Sequence, residues 1–201
     1  MTATSDHCPA GILYLHGFCS APSSWKARLL AERMAERGLA DRYYCPALSI
    51  EPEEAIAQCE SLIAAHSQTF PGAPLTLVGS SLGGYLATHL AEKHGLNAVL
   101  LNPAVVAPLS LARYLGPQTN FYTGETFILT ERHLDGIRAL DVERITPERY
   151  LLLVETGDEV LNYRLAVDRY TGSRQIVVEG GEHSLRSFPD HLPQLFEFCG
   201  L

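Results

Sequence analysis

The sequence has 201 residues, of which 46% are hydrophobic and 19% charged, and its formal net charge is −8. Such a chain is long enough for a sizeable core, and its negative charge argues against nucleic acid, which binds clustered Lys and Arg. No apolar stretch approaches the roughly 18 residues that cross a bilayer, so we expect no stable membrane insertion. The first eleven residues lack the basic and apolar regions of a signal peptide, and we therefore expect a cytoplasmic protein.

The cysteines favour neither a disulfide framework nor a metal site. Their number is odd and no CxxC spacing occurs, so they are expected to be reduced thiols, mostly buried. We expect no metal and no cofactor. The five are Cys8, Cys19, Cys45, Cys59 and Cys199.

Short apolar runs alternate with amphipathic stretches along the whole chain. The apolar runs predict six strands, over residues 11–16, 43–48, 75–78, 98–101, 150–154 and 175–178. The amphipathic stretches predict helices over residues 23–37, 52–66, 82–94, 162–170 and 189–198. Apolar strands that alternate with helices predict an α/β fold, with about six mostly parallel strands covered by helices on both faces.

One interval, residues 103–149, is too long for a plain connection between two strands. We interpret it as a small, mostly helical excursion after the fourth strand, placed over one edge of the sheet, where it can act as a lid. Residues 1–201, with this excursion included, are expected to form one domain.

Two adjacent serines follow the third predicted strand, in the segment LVGSSLGGYLA. Residues 79–83, GSSLG, match G-x-S-x-G between a strand and a helix, the setting of a nucleophile elbow. Positions two before and two after the nucleophile must be small, because strand and helix nearly collide there. Ser81 meets this condition through Gly79 and Gly83, whereas Ser80 is flanked by a valine and a leucine. We therefore predict Ser81 as the nucleophile and Ser80 as a small supporting residue.

A nucleophilic serine needs a base, and the base needs an acid to orient it. His183 follows the last predicted strand, and Asp158 follows the fifth. The order Ser81, Asp158, His183 is that of the α/β-hydrolases. Glu182 ranks second as the acid, since neighbours on an extended loop tend to point apart, and Glu159 is expected to cap or pair at the surface.

The oxyanion that forms on the substrate needs backbone N–H donors. We predict the N–H of Leu82, directly after the nucleophile, and the N–H of Phe18, in the loop HGFCSAP after the first strand. His16 is expected to support that loop through hydrogen bonds, and its use as a second base is the less favoured alternative. The acyl site should be apolar. Its candidate lining residues are Tyr85, Val105, Val106 and Phe121.

Six segments resemble one known family: LYLHGF, LVGSSLGGYLAT, LLNPAV, TGE, GDEVLNYR and EGGEHS occur in this order across nearly the whole chain. Together they are similar to the YqiA-type esterases of the α/β-hydrolase superfamily. The resemblance implies a compact α/β-hydrolase fold that lacks the first two strands of larger members. It also implies Ser81 as nucleophile, Asp158 as acid and His183 as base, in the hydrolysis of carboxylic esters or acyl thioesters.

These observations favour a serine hydrolase that acts on a small acyl ester or thioester through an acyl-enzyme intermediate. A coenzyme A thioester would need basic side chains near the site, for which Arg113, Arg132 and Arg186 are candidates. Two alternatives stay open: an acyltransferase that uses the same three residues, and a hydrolase fold that only binds. The role of the TGE segment at residues 123–125, the acyl length and the oligomeric state do not follow from the sequence.

Overall fold

The computed structural model describes residues 9–201. Cys8 and most of the N-terminal segment considered above lie outside the described residues. The other four cysteines are free thiols, and burial raises the pKa of each of them. Within the described part of the chain, no helix has both the length and the apolar composition that a membrane span requires.

Six parallel strands form the main sheet, which confirms the predicted α/β class. In chain order these strands are β1 (Gly11–Leu15), β2 (Tyr43–Tyr44), β3 (Leu75–Ser80), β4 (Asn97–Leu101), β7 (Tyr150–Glu155) and β8 (Arg174–Val178). Their spatial order is β2-β1-β3-β4-β7-β8. The edge strand β2 is shorter than predicted, because Pro46 follows it closely and has no N–H to donate to a neighbouring strand.

Helices cover both faces of this sheet. They are α1 (Trp25–Glu36), α2 (Pro52–Thr69), α3 (Leu82–His94), α6 (Tyr163–Arg169) and α7 (Leu192–Cys199). Helices α1 and α7 pack on one face, against alternate side chains such as Tyr14 and Val78. Helices α2, α3 and α6 pack on the other face, against Leu13 and Leu77. The central strands are apolar throughout because both of their faces are buried.

The excursion after β4 contains two helices, α4 (Ala107–Ala112) and α5 (Glu131–Arg138). It also contains an antiparallel hairpin that the sequence analysis did not predict, formed by β5 (Gly116–Thr119) and β6 (Thr126–Leu129). Strand β5 begins with Gly116 and Pro117 and has no apolar run, and β6 is only four residues long, so this pair did not read as two strands in the sequence. Buried side chains of the excursion pack together with Tyr85 of α3.

The strand order places the loops after β1 and β3 next to each other. The chain leaves β1 towards β2 on one side and returns to β3 on the other side. Ligands of open parallel sheets bind at such a switch point, outside the carboxyl ends of the strands. This is the edge where the sequence analysis located the candidate catalytic residues.

Candidate active site

Ser81 lies in the sharp turn between β3 and α3 and has φ 55° and ψ −119°. A positive φ is strained for a residue other than glycine and persists only where the surroundings enforce it. Here the Ser81 N–H donates to the carbonyl of Leu101 (3.0 Å), and the Ser81 carbonyl accepts from the N–H groups of Gly84 (2.9 Å) and Ala104 (3.0 Å). The turn therefore holds the Ser81 side chain in a fixed, exposed direction.

The glycines on either side of Ser81 are required by close contact. A Cβ on Gly79 would lie 2.3 Å from the carbonyl oxygen of Gly83, and a Cβ on Gly83 would lie 2.0 Å from that of Leu15. Both distances are far below van der Waals contact. The small-residue condition used to select Ser81 therefore has its physical cause in these two positions.

Ser80 points to the other side of the turn. It is 7% exposed and shares a side-chain hydrogen bond with the Tyr14 hydroxyl, whose pKa is raised by burial and lowered in part by that bond. Tyr14 belongs to the core between the sheet and helices α1 and α7. Ser80 is thus a buried hydrogen-bonding residue of this core.

His183 and Asp158 lie beside Ser81 in a continuous hydrogen-bonded chain. The His183 Nδ1 is 2.7 Å from Oδ2 of Asp158, and the His183 Nε2 is 3.1 Å from Oγ of Ser81. Asp158 is an acceptor when ionised, so its contact is satisfied when Nδ1 carries the proton and Nε2 presents a lone pair to Ser81. The Asp158 side chain is only 2% exposed.

Backbone donors fix the Asp158 carboxylate from its other side. Its Oδ1 accepts from the N–H groups of Val160 and Leu161, both at 2.8 Å. The other two carboxylates considered near His183 bind different partners. Glu182 pairs with Arg186 at the surface (2.8 Å), and Glu159 accepts the backbone N–H of His183 (3.0 Å).

His16 supports the loop after β1. Its Nε2 accepts from the N–H of Leu48 (3.1 Å), so Nδ1 carries the proton and donates to the carbonyl of Gly17 (3.0 Å). Burial lowers the pKa of His16, which favours this neutral form. Both ring nitrogens are thereby occupied, and His16 has no nitrogen free to act as a second base.

Phe18 and Leu82 line the same cavity as Ser81 and His183. Within residues 9–201, neither N–H donates to a protein acceptor. Leu82 is the first residue of α3, where N–H groups have no partner inside the helix and the helix dipole favours negative charge. Two unpaired donors beside Ser81 suit an oxyanion.

The cavity at Ser81 has a volume of about 300 Å³, at the small end of typical ligand sites. Its walls are mainly apolar and come from the loops after β1, β3, β7 and β8 together with the start of α3 and the excursion. The residues that line it are Phe18, Cys19, Ser81, Leu82, Ala104, Ser110, Leu111, Arg113, Tyr114, Gln118, Phe121, Val160, Leu161 and His183.

A model of the family described as Uncharacterised protein family (UPF0227) matches residues 11–200. The chain belongs to this family. The match bears out the YqiA-type resemblance carried by the six motifs.

Solved structures that are similar to this chain include a hydrolase, an esterase and a lipase. A protein from Agrobacterium vitis S4, provisionally described as a hydrolase, is 18% identical with a TM-score of 0.72, over 95% of this chain and 88% of that chain. Est1E from Butyrivibrio proteoclasticus is 13% identical with a TM-score of 0.65, over 98% and 88%. A monoacylglycerol lipase from Paleococcus ferrophilus is 15% identical with a TM-score of 0.62, over 95% of both chains. At these identities the likeness shows the α/β-hydrolase fold.

In the UPF0227 chain, two buried polar side chains that the sequence analysis did not assign hold the loop of His183. Asn102 donates from Nδ2 to the carbonyls of Glu182 (3.1 Å) and His183 (3.2 Å), and its Oδ1 accepts the N–H of Glu155 (2.9 Å). The Glu155 carboxylate accepts the N–H groups of Glu182 (2.6 Å) and Ser187 (2.8 Å). Burial alone raises the pKa of Glu155, but the donors of Ser187 and Glu182 outweigh it and the net shift is downward.

Lys26 supports the same loop from α1. Its Nζ donates to the carbonyl of Ser184 (2.8 Å). Lys26 is only 8% exposed, which is unusual for a lysine. Burial lowers the pKa of Lys26 to about 8, while the charges of Glu155 and Asp158 oppose the shift. The sequence carries a signal for this burial, since Lys26, Leu30 and Met34 share one helix face.

Of the four predicted lining residues, the structure brings only Phe121 to the cavity of Ser81. Tyr85, Val105 and Val106 line a separate depression beside α4, and this part of the prediction is wrong. The reason is the direction in which the chain leaves β4. It carries Val105 against the core on the α3 face of the sheet, and α4 then presents Ser110 and Leu111 to the cavity instead.

The TGE segment at residues 123–125 forms the tip of the unpredicted hairpin. Asn120 closes the tip by accepting the N–H groups of Tyr122 (2.9 Å) and Thr123 (3.1 Å) on its Oδ1. The tip docks on the loop after β1, because the Phe121 N–H donates to the carbonyl of Cys19 (3.0 Å) and Asn120 Nδ2 donates to that of Ser20 (2.8 Å). The segment thus braces the hairpin against the loop that carries Phe18.

Proposed function

We propose that this chain is a serine esterase with Ser81 as nucleophile, His183 as general base and Asp158 as the residue that orients His183. The observation that carries the proposal is the hydrogen-bonded chain from Asp158 through His183 to Ser81, on a strained elbow that faces an apolar cavity. The three-residue geometry and the elbow are those of serine hydrolases.

In the proposed reaction, Ser81 Oγ attacks the acyl carbonyl while His183 Nε2 takes its proton. The negative charge on the carbonyl oxygen is stabilised by the N–H groups of Phe18 and Leu82. His183 then returns the proton to the leaving alcohol, and the acyl group stays on Ser81. Water, deprotonated by His183, attacks the acyl-enzyme and releases the acid. Neither a metal nor a cofactor takes part.

The substrate we propose is a small ester with an acyl group short enough for a cavity of about 300 Å³. Est1E has been solved with ferulic acid bound, so an aromatic feruloyl ester belongs in the test panel beside aliphatic ones. Acyl thioesters are included because an acyl-enzyme of the same kind forms from either. The excursion, whose hairpin tip contacts the loop of Phe18, is proposed to cap the site. We keep the cytoplasmic location as part of this proposal.

The two alternatives differ from hydrolysis in what they predict for the products. An acyltransferase on the same residues would form a new ester when a competing alcohol is added, at the expense of free acid. A protein that only binds would neither turn over esters nor react with a fluorophosphonate. We favour an enzyme over a protein that only binds because the unpaired N–H groups and the aligned Ser81–His183 pair serve chemistry and are not needed for binding; the products formed with a competing alcohol separate hydrolysis from transfer.

The test is turnover of p-nitrophenyl butyrate by wild type, Ser81→Ala and the matched control Ser80→Ala. We expect Ser81→Ala to lose at least about 10³-fold in kcat. Ser80→Ala should retain most activity, because its hydroxyl bonds to Tyr14 in the core. Equal loss in the two variants would contradict the assignment of the nucleophile.

A further inference from the structure

Arg113 is held at the wall of the cavity by two other lining residues. It follows α4, and its guanidinium Cζ lies 4.9 Å from the centroid of the Tyr114 ring. Its Nη2 donates to the carbonyl of Val160 at 3.2 Å. Both partners line the cavity of Ser81, so the guanidinium lies where the excursion meets the loop after β7.

The charge of Arg113 has no carboxylate partner within residues 9–201, where it forms no ion pair. The two arginines of α5 differ from Arg113: Arg132 lies 3.9 Å from Glu51, and Arg138 pairs with Asp135. A guanidinium has five N–H donors, and in the described part of the chain Arg113 uses one of them on a protein acceptor.

The charge of Arg113 distinguishes it from the other residues of the cavity wall. Apart from Arg113 itself, the residues that line the cavity include no arginine, lysine, aspartate or glutamate. The chain as a whole has a net charge of −8, so anions are disfavoured at long range and must be attracted locally. Ser110, three residues before Arg113 and on the same side of α4, adds a hydroxyl at the same wall.

We propose that Arg113 forms a carboxylate-binding subsite of the Ser81 cavity, which selects esters that carry a second, anionic carboxylate beyond the scissile ester. This inference rests on the proposed esterase function and names a substrate class for it. The planar fork of a guanidinium matches a carboxylate with two parallel hydrogen bonds. Leu111, Phe121 and Leu161 provide the apolar wall for the chain between the two groups.

The test compares charged and neutral esters of the same skeleton. Monomethyl adipate against dimethyl adipate places the carboxylate on the acyl side of the scissile bond. 4-(Butanoyloxy)butanoic acid against its methyl ester places it on the alcohol side. The measured quantity is the ratio of kcat/KM for the charged ester to that for its neutral partner, obtained by chromatography of the product released at the scissile bond: methanol for the adipates, with the value for dimethyl adipate halved because its two esters are equivalent, and butanoic acid for the second pair.

We expect wild type to favour the charged ester in one of the two pairs. Arg113→Gln should lower kcat/KM for that ester about tenfold, mainly through KM, as the loss of one charge-assisted contact predicts. The ratio of the two esters is the readout, so an effect of the variant on both esters cancels, and an unchanged circular dichroism spectrum shows that the variant is folded. Arg113→Lys should retain part of the preference, and Arg132→Gln, the matched control outside the cavity, should retain all of it.

Three results would overturn the inference. One is an equal ratio in wild type and Arg113→Gln for both ester pairs. The second is an equal drop in Arg132→Gln, which would mean that general charge and not the subsite matters. The third is a wild-type protein that hydrolyses p-nitrophenyl butyrate but none of these esters, which would overturn this inference and leave the proposed esterase function standing; no hydrolysis of p-nitrophenyl butyrate either would refute both. A selective loss in Arg113→Gln supports both.

Discussion

Substitution of Glu155 by glutamine tests whether this buried carboxylate, which accepts N–H groups of the loop after β8, positions His183. The wild-type carboxylate is 1% exposed and accepts two short bonds, from the N–H groups of Glu182 (2.6 Å) and Ser187 (2.8 Å). Glutamine keeps the shape but offers one oxygen, so its NH₂ faces one of the two N–H donors. One hydrogen bond to a charged acceptor is lost and a buried donor is left unpaired, which together cost about 3 kcal/mol in the free energy of unfolding.

The assay is urea unfolding at pH 7 combined with kcat for p-nitrophenyl butyrate. We expect the unfolding midpoint to fall and kcat to drop about tenfold to a hundredfold, because the loop that carries His183 is displaced. The contribution of Glu155 is fully present above its unfolded-state pKa of about 4.3. It is lost as the pH falls through the lower folded-state pKa, so the gap in stability between wild type and variant should close in acid.

Glu182→Gln is the matched control, since this carboxylate lies on the same loop but pairs with Arg186 at the surface. It should change the free energy of unfolding by less than about 0.5 kcal/mol. Equal unfolding midpoints and equal kcat in Glu155→Gln and Glu182→Gln would refute the reasoning, because burial of the acceptor would then have no consequence.

Three further predictions follow from other parts of the site. Asp158→Asn should lower kcat about 10³- to 10⁴-fold with little loss of folded protein, because the amide no longer selects the His183 tautomer; near-normal kcat would exclude this role. Gly83→Ala should cost about 3 kcal/mol in urea unfolding, since its Cβ would lie 2.0 Å from the Leu15 oxygen. Burial lowers the pKa of Lys26 to about 8, so the folded chain releases this proton more readily than the unfolded chain. The free energy of unfolding of wild type should therefore rise between pH 8 and about 10.4, by up to about 3 kcal/mol more than that of Lys26→Met. Equal pH slopes in the two proteins would contradict the last of these.

Several features of the site were predictable because they depend on local rules. The elbow could be predicted because the residues two before and two after the nucleophile must be small. Gly79 and Gly83 meet this condition in the sequence. The loops after parallel strands converge at one edge of the sheet, so Asp158 and His183 could be assigned to the same site without coordinates. The main sheet was predictable for a related reason, since strands buried on both faces leave continuous apolar runs.

The features that were not predicted depend on contacts between distant segments. Asn102 and Glu155 act on the His183 loop from more than twenty residues away in sequence, and no local pattern marks a polar residue as a brace. Strand β5 of the hairpin, GPQT, has the composition of a turn, and β6 is too short to mark a strand without its partner. The error at Val105 and Val106 has the same origin, because the direction of the chain after β4 is set by packing of the excursion.

Reaction with a fluorophosphonate, followed by fragment-ion mass spectrometry of the peptide that carries residues 80–81, tests the central claim most directly. We predict one adduct per chain, located on Ser81 and not on Ser80, that is lost in Ser81→Ala and greatly slowed in His183→Ala. An adduct on Ser80, or no adduct on the folded wild-type protein, would contradict the account.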